Sequence, residues 1–194
     1  MKHSKKALIL SVALVFVFTG IALAGGYNYD IKKSHQGKDL TPSQTHEMME
    51  KDPDHTFLVD TRTRAEYQLI GHPAVAYNIP LKFWTGKMGK KEYGMADNPN
   101  FDKDLLARFN PKTDTLIFMC RSGGRSCDAS NAAAKAGFPE DKIFNMMGGF
   151  EGDKVKYKQS IYCGQRKLGG WRNEGLPWTY HIDKKLAYQP DLAK

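Results

Sequence analysis

The chain has 194 residues, of which 41% are hydrophobic, 26% charged and 11% aromatic, a balance that excludes a disordered or low-complexity polymer and fits one globular domain. Three cysteines are too few for a disulfide-built mini-scaffold, so packing must hold the fold together. The net charge of +8 includes no basic block interleaved with aromatic residues, which argues against a nucleic-acid partner and favours small anions or acidic partners.

Residues 1–24 read as an export signal. Lys2, Lys5 and Lys6 precede an apolar run over 7–18, and Ala22-Leu23-Ala24 forms a small-x-small cleavage site. Cleavage removes three lysines and no acidic residue, lowering the net charge from +8 to +5, and leaves the mature domain periplasmic or secreted with no membrane contact. Left uncleaved, the same stretch would anchor the protein to a membrane.

Residues 25–39 are polar, lack apolar periodicity and read as a linker. The domain is predicted over 40–180, with 181–194 as a C-terminal tail. Thr41-Pro42-Ser43-Gln44 has the form of a capped helix start, with the helix running to about Lys51. Short apolar runs then alternate with helical stretches: strand 56–60, helix 64–70, strand 74–79, helix 102–109, strand 115–119, helix 127–136 ended by Gly137, and strand 142–146. This alternation predicts an α/β fold, a mostly parallel central sheet with helices on both faces. Segments 82–100 and 151–170 are longer than ordinary connections and read as loops bordering a site.

The sharpest local signal is Cys120-Arg121-Ser122-Gly123-Gly124-Arg125-Ser126, between the strand over 115–119 and the helix over 127–136. A loop after a parallel strand opens onto the ligand crevice, and the following helix directs its unpaired N–H groups and positive dipole end at it. That environment favours the thiolate, the nucleophilic form of a cysteine. Gly123 and Gly124 allow the backbone amides to converge on one point, and Ser126 is placed to cap the helix.

This loop resembles the active-site loop of rhodanese (thiosulfate sulfurtransferase) domains. Leu58-Val59-Asp60-Thr61-Arg62, Glu66-Tyr67, Gly71-His72-Pro73 and Asn78-Ile79-Pro80 are similar to the family's upstream motif, and Gly148-Gly149-Phe150 and Gly175-Leu176-Pro177 to its C-terminal signatures. One departure is plain. The family places a tryptophan a few residues after the Gly-Gly pair, whereas here Asp153 and an inserted segment come before Trp171.

The resemblance implies a rhodanese-like fold and a sulfurtransferase. Cys120 would take sulfane sulfur from thiosulfate or a similar small anionic donor, holding it as a persulfide for a thiol or cyanide acceptor, or for a protein acceptor. Arg121, Ser122, Gly123, Gly124, Arg125 and Ser126 would bind the donor, with both arginines on its sulfonate oxygens. Neither a metal nor an organic cofactor is implied. A carrier that docks a partner and hands over the sulfur is an alternative. A phosphatase or arsenate reductase on the same fold is a weaker one, because such loops hold five residues between Cys and Arg and this one holds four.

Cys127 and Cys163 leave two readings open: a structural disulfide between them, or Cys127 as a resolving thiol for Cys120. His72 is expected to hydrogen-bond structurally. Asp60 and Arg62 are expected to fix their loop rather than to touch substrate. Lys87, Lys90 and Lys91 form a solvated basic run that could steer an anion.

Overall fold

In the computed structural model, which describes residues 27–189, the first regular element is β1 (Lys38–Leu40), which begins within the last two residues of the stretch read as a linker. The export-signal reading of residues 1–24 lies outside the described residues. α1 (Pro42–Lys51) begins at the expected capping box, with Gln44 N–H on Thr41 Oγ1 at 3.2 Å and Thr41 N–H on Gln44 Oε1 at 2.9 Å. β2 (Thr56–Asp60) and α2 (Arg64–Leu69) follow, and α2 starts at a second capping box made by Thr63 and Glu66.

Where one strand was expected over 74–79 the chain forms two short ones, β3 (His72–Pro73) and β4 (Tyr77–Asn78). Ala76 N–H bonds Pro73 O at 3.0 Å, and that turn interrupts the extension. The expected loop over 82–100 is largely an antiparallel hairpin of β5 (Lys82–Met88) and β6 (Tyr93–Asp97). α3 (Phe101–Leu106) is shorter than predicted, β7 (Thr115–Met119) matches, and α4 (Gly124–Lys135) begins three residues earlier than predicted. A short 3₁₀ turn over Glu140–Lys142 precedes β8 (Ile143–Met146). The second expected loop carries a small hairpin, β9 (Asp153–Lys154) with β10 (Arg166–Leu168), and β11 (Trp178–Thr179) pairs with β3.

The central sheet runs β1-β8-β7-β2-β4, all parallel. Its central strands β2, β7 and β8 are largely apolar on both faces because both faces are covered. Val59, Leu116, Phe118 and Ile143 pack with Phe101 and Leu105 of α3 and Ala129 and Ala133 of α4. Leu58, Ile117, Met119 and Met146 point the other way, into a cluster with Tyr67 of α2, Phe150 and Trp171, which Met48 and Met49 of α1 flank. The period-2 alternation along β2 and β7 thus divides their side chains between two cores. Part of the expected tail is structured as well. Leu186 O accepts Asn78 N–H at 2.8 Å, and the Tyr188 hydroxyl bonds Asp104 at 2.9 Å.

Candidate active site

β7 lies between β2 and β8, and its C-terminal end delivers Cys120 to the rim of the sheet. Thr61, just past β2, ties that end in place, donating to Met119 O from both its N–H (2.8 Å) and its hydroxyl (2.9 Å). From the other side Phe150 N–H bonds Cys120 O at 2.8 Å and Glu151 N–H bonds Arg121 O at 3.0 Å. Gly149 makes this approach possible. Its φ is +58°, and a Cβ there would press on Cys120 O and sit 2.7 Å from both Arg121 C and Ser122 N.

Gly123 takes the left-handed conformation (φ 105°) and is itself the N-cap of α4. Its turn explains the early helix start, and it corrects the expectation that Ser126 caps the helix. Gly123 N–H instead points at Cys120 Sγ, 3.1 Å away, while the Ser126 hydroxyl donates to Gly123 O at 2.9 Å and lies 3.7 Å from Sγ. The hydroxyl has one proton, so it serves one of these two acceptors at a time, and the carbonyl is the nearer. Cys120 is 2% exposed and lines a cleft of about 270 Å³ with Arg121, Ser122, Gly124, Arg125 and Lys33. A larger cleft of about 620 Å³ lies at α1 and the first half of β2, with no residue of this loop in its lining.

The two arginines differ. Arg121 is exposed at the mouth. Arg125 is clamped in a bidentate pair with Glu66, Nη1 to Oε2 at 2.8 Å and Nη2 to Oε1 at 2.6 Å. Burial alone would raise the Glu66 carboxyl. The hydrogen bond and charge of Arg125 outweigh it and hold the group at about 2. Glu66 also closes the α2 capping box, accepting Thr63 N–H at 3.0 Å, so a helix cap and a loop anchor share one carboxylate. Arg125 therefore ties the loop to α2, while Arg121 stays exposed.

The remaining candidates are structural. Asp60 and Arg62 form a fully buried pair, Nη2 to Oδ2 at 2.6 Å, and Arg62 also bonds Gly71 O at 2.8 Å. His72 is stacked on Tyr67 at 3.5 Å with its Nδ1 on Tyr67 O at 2.8 Å, and burial pushes its imidazole down, towards the neutral form. Cys127 and Cys163 are not paired. Cys127 is buried in the first turn of α4, whereas Cys163 is exposed in the inserted segment. Burial pushes the Cys127 thiol up to about 11, and its S–H bonds Gly123 O at 3.1 Å, so it suits packing better than a resolving role.

The displaced tryptophan is restored in space. The segment between Gly152 and Gly170 loops out and returns, so that Trp171 N–H bonds Gly149 O at 2.9 Å and the indole, 1% exposed, bonds Pro177 O at 2.8 Å. The loop-out brings Arg166 near the site. Its guanidinium is lowered by burial and by neighbouring Arg121, and it bonds Gly152 O at 2.6 Å. Lys33, Glu66 as the Arg125 anchor, and Arg166 were not foreseen. Only Glu66 carries a local signal, the Thr63-x-x-Glu66 capping pattern.

Comparison with known proteins agrees with this architecture. The uncharacterized protein RP600 of Rickettsia prowazekii (strain Madrid E) is 34% identical over 125 residues, covering 64% of this chain and 83% of that protein. Thiosulfate sulfurtransferase 16, chloroplastic, of Arabidopsis thaliana is 34% identical over 96 residues, 50% of this chain and 71% of its own length. The crystal structure of Rv0390 from M. tuberculosis superposes with a TM-score of 0.61 at 31% identity, over 76% of this chain and 100% of that one. Residues 41–156 match the profile of the rhodanese-like domain, a span of more than half the chain that contains the whole Cys120 loop, and so the chain belongs to the rhodanese-like domain family.

Proposed function

We propose that the protein is a sulfurtransferase that carries sulfane sulfur from thiosulfate or a similar donor to a thiol or cyanide acceptor through a persulfide on Cys120. The Cys120 thiolate attacks the outer sulfur of the donor, forming a new S–S bond. The donor's own S–S bond breaks, its electron pair leaves with sulfite, and the terminal sulfur of the persulfide carries the negative charge. The acceptor then attacks that terminal sulfur and returns the Cys120 thiolate, so electrons balance without a further reactant.

The observation that carries this reading is the position of Gly123 N–H, 3.1 Å from Cys120 Sγ, in a loop with four residues between Cys120 and Arg125. A ring this tight suits one charged sulfur rather than a tetrahedral phosphate or arsenate. The amide is preorganised where negative charge resides before and after transfer, which is where a fixed donor is most effective. Arg121 at the mouth meets the sulfonate oxygens of the donor, and Arg125, held by Glu66, keeps the loop closed. The similarity to a relative named as a thiosulfate sulfurtransferase supports the same chemistry.

Initial rates of thiocyanate formation from thiosulfate and cyanide test it. Parallel double-reciprocal lines, lost in Cys120→Ser, are expected of a ping-pong transfer. Cys120-dependent hydrolysis of an aryl phosphate, or thiocyanate formation that survives Cys120→Ser, overturns it.

A further inference from the structure

We propose that Lys33, which precedes the residues of the family match, is a donor-binding residue that meets the second negative charge of a dianionic sulfur donor. This rests on the sulfur-transfer reading and adds a residue to it. Lys33 lines the same cleft as Cys120, Arg121, Ser122, Gly124 and Arg125, although the match begins at residue 41.

The segment carrying it is strapped over the active-site loop from both sides. Upstream, the Tyr27 hydroxyl bonds Asp153 at 3.0 Å, and the Tyr29 hydroxyl donates to Glu174 and accepts Gly170 N–H at 2.7 Å. The Tyr29 ring lies against Gly148 and Gly169, where any Cβ would collide with it. Lys32 pairs with Asp153 at 2.7 Å, and the stem of Lys32 lies over Gly123. Downstream, Gln36 N–H bonds Asn131 Oδ1 at 2.9 Å before the chain enters β1. At the centre, the backbone of Lys33 lies beside the Cys127 thiol. Lys33 is therefore presented by fixed backbone, which reduces the ordering cost of using it.

Access and free donors give the lysine its role. Thiosulfate carries two negative charges. Arg125 is held in a bidentate pair by the largely buried Glu66, which leaves Arg121 as the loop's exposed cation. Lys33 Nζ pairs with Asp128 at 2.5 Å, but its side chain is 51% exposed and an ammonium has three N–H donors, so it can hold Asp128 and a sulfonate oxygen together.

The test compares donor kcat/KM for thiosulfate, a dianion, with that for methanethiosulfonate, a monoanion, in the full chain. Lys33→Ala should lower the thiosulfate value roughly tenfold, through KM, and the methanethiosulfonate value by less than about twofold, with Lys33→Arg restoring most of the loss. Lys112→Ala, a charge change in the exposed turn before β7, at the opposite end of that strand from Cys120, should alter neither. Equal losses on both donors, or no loss on thiosulfate, overturn the inference while leaving sulfur transfer intact. A wild-type protein that takes sulfur from neither donor sinks the sulfur-transfer reading and this inference with it.

Discussion

The loop from Cys120 to Ser126 and the walls around it are built by opposite means. Within the loop the decisive contacts are local: Gly123 N–H reaches Cys120 Sγ and Ser126 reaches Gly123 O, each three positions away. The walls are assembled from far along the chain, with Lys33 from the strap, Glu66 from α2 and Arg166 from the inserted hairpin. The difference teaches that the geometry around Cys120 Sγ is set by one short stretch, while the surroundings of the cleft are set by residues that no short stretch contains. Chemistry can thus be kept across a family while the walls, and the donors they admit, change.

Gly149→Ala should break the comparison most severely, because it damages the local part through a distant residue. A Cβ at φ +58° is strained and meets the backbone of Cys120 to Ser122, so we expect about 3 kcal/mol of lost stability and loss of sulfur transfer. Urea unfolding and thiocyanate formation measure both. Unchanged values would mean that the shelf under the loop moves freely.

Glu66→Gln comes next, removing a wall contact that fixes the loop. Leaving Arg125 half-buried without its partner should cost about 3 kcal/mol at neutral pH. The pH dependence has a definite sign. Folding lowers Glu66 from 4.5 to about 2, so the folded state binds its proton less readily than the unfolded state does. The contribution is full above pH 4.5 and fades as pH falls towards 2, and the stability gap between wild type and Glu66→Gln should close over that window. Urea midpoints across the acid range check it, and a gap that stays constant with pH contradicts the pairing.

The smallest effect is expected for Cys163→Ser. An exposed, unpaired thiol adds nothing to stability, so the melting temperature under non-reducing conditions should stay within about 1 °C of wild type. A large drop would indicate a bond from Cys163 to another cysteine.

How far the molecule was legible follows the same division. β2 and β7 stand out because each holds a run of consecutive apolar residues, the pattern of strands covered on both faces, and β8 keeps three apolar residues around Asn145. The α1 capping box and the Cys120 loop are equally local patterns. β1 escapes notice because Lys38-Asp39-Leu40 has a single apolar residue and forms only against β8. The β5–β6 hairpin is largely exposed, so it has little buried periodicity to reveal it. The start of α4 was misjudged because the conformation of Gly123, not a side-chain cap, decides it. The anchoring of Arg125 leaves no local trace, because its partner Glu66 lies 59 positions away. The parity of three cysteines likewise carried no information on which of them is buried.

The central claim is that Cys120 itself carries the sulfur. Intact mass of the full chain after brief exposure to thiosulfate tests it most directly. One added sulfur atom on wild type, removed by cyanide and absent from Cys120→Ser, is the expected result. An unmodified wild type, or the same gain in Cys120→Ser, would contradict the account.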